Sequence, residues 1–510
     1  MNNQDRPWDL ACDVLVVGYG AAGGVAAIEA RDSGADVLVI EKMADPGGIS
    51  ILSAGGIRIA FDVDEAFAYL QATCGGRTPD DVLRALAAGM VEMPDYVRAL
   101  ARANGAEIKV EPAVGNYPFP GCDALGYAEV VAIPGFPGDG PYHAAAPMRP
   151  GCYLFKLLED NVLQRGITVS YSTRATELLR GPDGAVCGAA VLRDGAALRI
   201  KARRGVILAC GGFEADPAMQ RQYFDAHTVL PGSFLGNTGD GIRMCQAQGA
   251  DLWHMWHYHG PYGFRHPDPA FPFGLYVKLL PMWTPERITK PLPRMPWIIV
   301  DGHGRRYGNE YPPYMSDTGV RGFGAFDPDA GRYARMPSWL VFDEAGRKCY
   351  PMGRSIVNHR GTHYEWSADN LKEVGAGILK RADSIPELAT IIGVDPAALE
   401  GTLRRWNDAC NAGSDADFGR RPETMMPLAE PPYYAGELWP VVINTQGGPV
   451  HDARQRVLDT GARPIARLYA AGELGSVFGH IYMAGGNLAE CFVGGRNAAR
   501  EASALPPWDG

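Results

Sequence analysis

The stretch DVLVVGYGAAGGVAAIEARDSGADVLVIEK, residues 13–42, constrains the fold more than any other part of the chain. Val14 to Val17 form a short, wholly apolar run of the kind a buried parallel strand needs. Gly18-Tyr19-Gly20-Ala21-Ala22-Gly23 follows at once and matches G-x-G-x-x-G. Residues 21–33 are alanine-rich and read as a helix, and 36–40 read as a second strand ending on Glu41. In such a unit Gly18 makes the tight turn, Gly20 lets a pyrophosphate meet the backbone, and Gly23 lets helix pack on strand. The helix start at Ala21 and Ala22 presents free N–H groups and a positive dipole end to phosphate. Glu41, twenty-three residues after Gly18, is placed to accept hydrogen bonds from ribose hydroxyls. A glycine-rich turn in an unrelated α/β protein would not account for that acid. The segment predicts a dinucleotide-binding α/β unit.

With 510 residues there is room for two domains, or one domain with a large insertion. A hydrophobic share of 46% and a charged share of 21% are ordinary for a soluble enzyme. The net charge of −10 argues against nucleic acid as a partner, because phosphate binding needs clustered Lys and Arg. The ten cysteines are scattered with no C-x-x-C pair, which suggests reduced, buried thiols and no zinc or iron–sulfur site. The start, MNNQDRPWDLACD, lacks the apolar core of a signal peptide. No apolar run reaches the ~18 residues a membrane span requires, so a cytoplasmic location is expected.

Four further blocks pair a strand or helix end with glycines. GGISILSAGGIRIA (47–60) suits a loop lying along an extended ligand; RRGVILACGGFEAD (203–216) leads on to NTGDGIRM (237–244); LYAAGELGSVFGHIYMAGGNLAE (468–490) lies near the C-terminus. A cofactor contacted by both ends of the chain must be long, and no second G-x-G-x-x-G marks a separate NAD domain. One non-covalent FAD accounts for the pattern better than NAD.

These blocks, in this order, resemble the fumarate reductase and succinate dehydrogenase flavoprotein superfamily. The resemblance implies a Rossmann-like α/β FAD-binding domain formed by residues 1–245 and 434–510, with an inserted α+β catalytic or capping domain at 246–433. It implies that Glu41 meets the adenosine ribose, and that Gly48, Ser50, Ser53, Gly55 and Gly56 line the flavin and pyrophosphate. Asp240 in T-G-D-G and Glu473 in A-A-G-E are implied FAD contacts, and Asn487 and Leu488 sit under the isoalloxazine. Lys42, Ala175, Ala209, Gly211 and Gly472 complete the expected cofactor set.

Fumarate-reducing members hold a dicarboxylate with arginines and histidines. Here Met483 stands where their final loop carries Arg, Asn444 where a substrate-binding His is expected, and Tyr314 where the N-E block carries the proton-donating Arg. Three charge-assisted partners are thereby lost. The loop FGHIYMAGGN (478–487) instead resembles the 3-ketosteroid dehydrogenases, particularly the Δ4-(5α) branch, although Ala484 replaces an expected hydroxyl residue. That resemblance implies oxidation or reduction of a carbon–carbon bond α,β to a ketone. FAD takes the hydride, and the protein supplies a base and donors for the enolate oxygen. Tyr482 is the first candidate for that work as acid/base or carbonyl-binding group, Tyr314 its partner, and Tyr117 the third. The expected partner is a small hydrophobic ketone, first a 3-ketosteroid. Alternatives are a 4-oxocyclohexanecarboxylate and a non-catalytic electron-transfer subunit. Electron acceptor and homo-oligomeric state are not legible in these residues.

His254, His257 and His259 alternate with aromatics in LWHMWHYHGPYGF (252–264). No nearby carboxylate completes a metal set, so the readings are an aromatic cluster or an apolar wall of the substrate cavity. Arg305 and Arg306 form a solvated turn or meet a substrate carboxylate, which would favour the oxo-acid. Residues 416–439 read as the crossing back to the FAD domain.

Overall fold

The computed structural model of the chain describes residues 7–137, 142, 149–278, 294–311, 317, 319–357 and 362–508. β1 (Leu10–Val17) lies inside an eight-stranded sheet. It pairs in parallel with β2 (Val37–Ile40) on one side, Val14 opposite Val37, and with Ala196–Leu208 on the other, Leu15 opposite Val206. Thr168–Ser170 extends the parallel set beyond β2, and Pro464–Ala470 extends it beyond Ala196–Leu208. Val14, Leu15 and Val16 are fully buried because both faces of the sheet are covered, which explains their uninterrupted apolar run. Each such side chain contributes roughly 1.5–3 kcal/mol of burial.

α1 (Ala21–Asp32) packs over one face beside the last helix, Gly486–Ala504, so the two ends of the chain close one layer. Gly18 has φ +103°, and a side chain there would run into the Ala209 carbonyl. A Cβ on Gly23 would overlap the Gly18 carbonyl oxygen, so the missing methyl is what lets α1 sit on the β1 turn. The strands, helix and acid expected from 13–42 are all present.

A second sheet of seven strands makes up the capping part. Tyr433–Val442 runs through its middle, antiparallel to Ser338–Asp343, Tyr262–Phe264 and Leu379–Ala382. This strand straddles the expected boundary at 433/434, and Leu230–Pro231, from the expected first FAD segment, also pairs with it. The crossing anticipated over 416–439 therefore ends, from Tyr433 on, as a central strand of this sheet; Pro431 and Pro432 precede the strand and do not interrupt its ladder.

Arg306 lies in the interior of this part. It donates to Glu310 at 2.7 Å and to Asp415 at 3.0 Å, with its guanidinium over the Trp406 ring. Arg420, also buried, donates to the carbonyls of Met295 and Trp297 at 2.7 Å each. Arg306 is thus consumed in a structural ion-pair network, and Arg305 is exposed. Neither position supports the expected contact with a substrate carboxylate.

Not every cysteine is buried as expected: Cys349 is exposed, and Cys122, Cys210, Cys410 and Cys491 are half-buried. All ten are free thiols. Among the described residues no helix is long and apolar enough to cross a membrane.

Candidate functional site

A cleft of about 770 Å³ opens at the carboxyl ends of β1, β2 and Ala196–Leu208, where an open α/β sheet binds its ligand. Of the residues expected to hold the cofactor, Gly18, Gly20, Ala21, Ala22, Glu41, Lys42, Gly48, Ser50, Ala175, Ala209, Gly211, Asp240 and Glu473 line it. They come from segments spread along the chain from Gly18 to Glu473. Gly23, Ser53, Gly55, Gly56, Gly472, Asn487 and Leu488 stand outside the lining. Gly55 packs on Pro150 and Gly472 on Ala22, while the Ser53 hydroxyl bonds to the Ser50 carbonyl at 2.7 Å.

Glu41 is buried, and each of its carboxylate oxygens accepts a backbone N–H, Tyr19 at 2.7 Å and Met43 at 2.8 Å. Burial pushes this carboxyl up, with those two hydrogen bonds opposing. Each oxygen keeps a lone pair for a ribose hydroxyl. At the start of α1 the Ala21 N–H donates to Ser50 Oγ at 3.0 Å. Asp240 is held between Lys42 at 2.9 Å and Arg174 at 2.7 Å. Burial alone would raise its carboxyl, but the two cations hold it below its ordinary value.

The cleft fits FAD on several counts. A Cβ on Gly20 would point to open space bounded by Ser50 Oγ at 3.4 Å, and one on Gly48 would meet nothing nearer than 3.9 Å. The helix N-terminus and Lys42 favour an anionic pyrophosphate, and Glu41 can take a ribose. The cleft continues to Glu473 and Cys491 beside the last helix.

That far end is a buried polar network. Asn237 Nδ2 donates to Glu214 at 2.6 Å and to Glu473 at 3.3 Å, and Thr445 N–H donates to Glu473 at 2.9 Å. Burial drives both carboxyls up, Glu473 to about 7, so the pair holds a proton near neutral pH. Beside it Glu490 accepts from Val477 N–H at 2.6 Å, Ser476 Oγ at 2.9 Å and Asn487 Nδ2 at 2.9 Å. Burial pushes Glu490 to about 8 despite these donors.

A folded-state value above the ordinary 4.5 means that the folded chain holds this proton more tightly than the unfolded one. The contribution is full below about 4.5 and is lost as pH rises to about 8. Glu490→Gln is expected to narrow the drop in melting temperature between pH 5 and pH 8 by several degrees. An unchanged drop would show that Glu490 is already ionised in the folded protein.

The loop carrying Tyr482 is held by the three-stranded sheet Ile57–Ala60, Leu125–Ala132 and Glu107–Pro112. Buried Arg58 donates to the Ala484 carbonyl at 2.9 Å and to the Ala113 carbonyl at 3.0 Å. Asn116 accepts the Ala484 N–H at 2.8 Å, and the Tyr127 hydroxyl donates to the Ala484 carbonyl at 3.2 Å. Tyr482 itself is 5% exposed, with its ring 4.4 Å from the His259 ring and 5.2 Å from Phe478. Burial raises its phenol far above the ordinary tyrosine value. Tyr314 lies outside the described residues.

Tyr117 is buried and donates to Asp317 Oδ2 at 3.3 Å, while Asp317 Oδ1 lies 2.9 Å from His257 Nε2. Asp317 is the carboxylate that reading along the chain did not find, since it is 60 positions from His257. His257 also borders a second cleft of about 1070 Å³, walled by Trp256, Tyr258, Phe326, Tyr333 and His480. Part of the 252–264 stretch therefore is a cavity wall. His254 is turned elsewhere, its Nδ1 at 2.8 Å from the Ser476 carbonyl.

The parallel sheet, the glycine turn and the elongated cleft define a dinucleotide-binding flavoprotein. The chain belongs to the family described as FAD binding domain, whose model matches residues 13–488, and is an FAD-dependent oxidoreductase of the fumarate reductase/succinate dehydrogenase flavoprotein superfamily. It is 28% identical to the digoxin reductase of Eggerthella lenta, over 99% of this chain and 89% of that one. It is also 28% identical to the 4-oxocyclohexanecarboxylate 2-dehydrogenase of Sinomonas cyclohexanicum, over 96% of this chain and 95% of that one. Among solved structures it superposes with a TM-score of 0.79 on the 3-ketosteroid Δ1-dehydrogenase of Sterolibacterium denitrificans in complex with 1,4-androstadiene-3,17-dione. That match has 27% identity and covers 97% of this chain and 99% of the other. It also superposes, with a TM-score of 0.69 at 23% identity over 99% of each chain, on the 3-ketosteroid-Δ4-(5α)-dehydrogenase of Rhodococcus jostii in complex with 4-androstene-3,17-dione, the branch the tyrosine loop had suggested.

Proposed function

We propose that the protein introduces a C=C bond next to the ketone of a 3-oxosteroid, at the 1,2-position of ring A, using non-covalent FAD. The observation that carries this reading is the open cleft walled by Trp256, Tyr258, Phe326 and Tyr333, with Asp225, His257 and His480 as its polar members and no Arg or Lys among the described lining residues. Such walls favour a large apolar ligand over a charged acid. The burial of Arg306 in its own ion pairs weighs against 4-oxocyclohexanecarboxylate, and a cleft of this size weighs against a purely electron-carrying subunit. The likeness to the Δ1-dehydrogenase supports the position.

FAD, when bound, supplies the hydride-accepting chemistry. The chain does the rest. Glu41, Lys42 and the start of α1 would hold the nucleotide end, and Glu473, where the cleft runs on beside the last helix, would lie toward the flavin end. A phenol raised so far by burial stays neutral at working pH, so Tyr482 acts as a donor to the ketone oxygen and not as the base. Its hydrogen bond acidifies the α-C–H and holds the enolate oxygen. Tyr314 and Tyr117 take the proton side. In this reading residues 1–245 and 434–510 hold FAD and 246–433 closes over the ketone, with Tyr433–Val442 as the splice between them.

Anaerobic mixing of the yellow holoenzyme with saturated and Δ4 3-oxosteroids, and separately with oxocyclohexane acids, tests this by flavin absorbance. Bleaching by the steroids alone is the expected result. Bleaching only by the acids would replace the substrate class, and bleaching by neither would overturn the ketone reading.

A further inference from the structure

Two buried acids, Glu214 and Glu473, meet at the far end of the cofactor cleft, and the hydrogen bonds around them divide unequally. Glu473 Oε1 accepts the Thr445 N–H at 2.9 Å, and its Oε2 accepts from Asn237 Nδ2 at 3.3 Å. The same amide nitrogen donates to Glu214 Oε1 at 2.6 Å. Glu214 Oε2 is buried and has no donor among the described residues. It is turned toward its neighbour: a Cβ on Gly212 would stand 2.9 Å from Glu214 Oε2 and 2.6 Å from Glu473 Oε1. Two buried carboxylates so placed cannot both be charged, and the oxygen without a donor is where the proton belongs. Glu214 is therefore the neutral acid, its Oε2–H aimed at Glu473, and Glu473 is the anion. Of the two, Glu473 lines the cleft.

The other groups facing Glu473 do little to neutralise it. Lys42 and Arg174, in the same cleft, are spent on Asp240. Glu490 and Cys491 on the last helix, and Cys210, Tyr19 and Glu41 along the cleft, are each pushed by burial toward the uncharged form. We propose that Glu473 links cofactor binding to a proton: when FAD fills the cleft, Glu473 takes one proton from the solvent, and it returns that proton when FAD leaves. FAD displaces the water that screens the carboxylate and brings an anionic pyrophosphate into the same cleft. Both effects disfavour a second anion there. Glu473, at about 7, stands where a modest further rise changes its charge. The sign of the linkage follows. Below about 7 the proton is already in place and FAD affinity is flat; above it binding must draw the proton from solution, so affinity falls. The linkage rests on the cofactor alone and holds whatever the substrate is.

Calorimetric titration of the flavin-free, full-length chain with FAD, in phosphate and in Tris buffer, counts the protons exchanged. Wild type is expected to take up most of one proton at pH 8, with a Kd that rises about tenfold between pH 6 and pH 8. Glu214→Gln, whose amide stands in for the neutral acid as donor, should keep that uptake, and so should Glu490→Gln. Glu473→Gln should bind FAD without uptake and with a Kd that does not change over this range. Should Glu473→Gln hold no FAD, the wild-type count and the two neighbouring variants still decide. Wild-type binding with no proton exchanged, with a proton released, or with a flat Kd would overturn the linkage. Uptake that disappears in Glu214→Gln or in Glu490→Gln would place the proton on that acid and overturn its assignment to Glu473.

Discussion

Tyr482→Phe is expected to keep its FAD and lose steroid turnover by about 10²–10³-fold, the scale for removing one preorganised donor to a developing oxyanion. Retention of FAD follows from what the side chain touches. The ring packs against His259 and Phe478, and a phenylalanine keeps both contacts. The loop itself is fixed through backbone atoms, by Arg58 and Tyr127 on the Ala484 carbonyl and Asn116 on its N–H, none of which needs the hydroxyl. The phenol is raised by burial, so the hydroxyl remains a donor throughout the working pH range. The loss should therefore appear as a lower kcat at every pH, without a shifted pH profile. A variant whose profile loses a limb would show Tyr482 to be a base, and undiminished turnover would remove it from the chemistry.

The N-terminal unit was legible because its constraints are local. Gly18, Gly23 and Glu41 act within thirty residues of one another, and each residue type has one physical job at one spacing. What escaped the reading was long-range. His257 alone looks like one aromatic-stretch histidine among three, and only the fold brings Asp317 to it from 60 positions away. Arg306 beside the N-E block looks like a solvated turn until Asp415 arrives from 109 positions away. The same holds for Tyr433–Val442, whose place in the capping sheet depends on partners between Leu230 and Ala382. Arg58 carried almost no signal: it is an isolated Arg in a short apolar strand, yet it grips the loop that carries Tyr482 from more than four hundred residues away. Its only hint was its setting, since a charged residue inside IRIA must find partners or cost the fold heavily.

The two glycines of the turn are expected to fail in different ways, and the contrast separates folding from binding. In Gly23→Ala the new methyl meets backbone, the Gly18 carbonyl oxygen and, 3.0 Å away, its carbon. Backbone cannot swing aside as a flexible side chain can, so α1 must lift from β1 and drag the whole phosphate turn with it. Overpacking of this kind costs about 1–3 kcal/mol, and here it acts on the element that also closes against the last helix. The variant should be purified nearly colourless, with a melting temperature lowered by several degrees. In Gly20→Ala the methyl points into the cleft, with Ser50 Oγ at 3.4 Å as its nearest neighbour. That apoprotein should fold and melt like the unaltered apoprotein. Its methyl takes space the pyrophosphate needs, so FAD affinity should fall by ten-fold or more. Flavin titration of the two apoproteins beside their melting curves gives the result. A yellow, stable Gly23→Ala protein would mean that the helix can yield at that turn, and a fully flavinated Gly20→Ala protein would move the pyrophosphate away from Gly20.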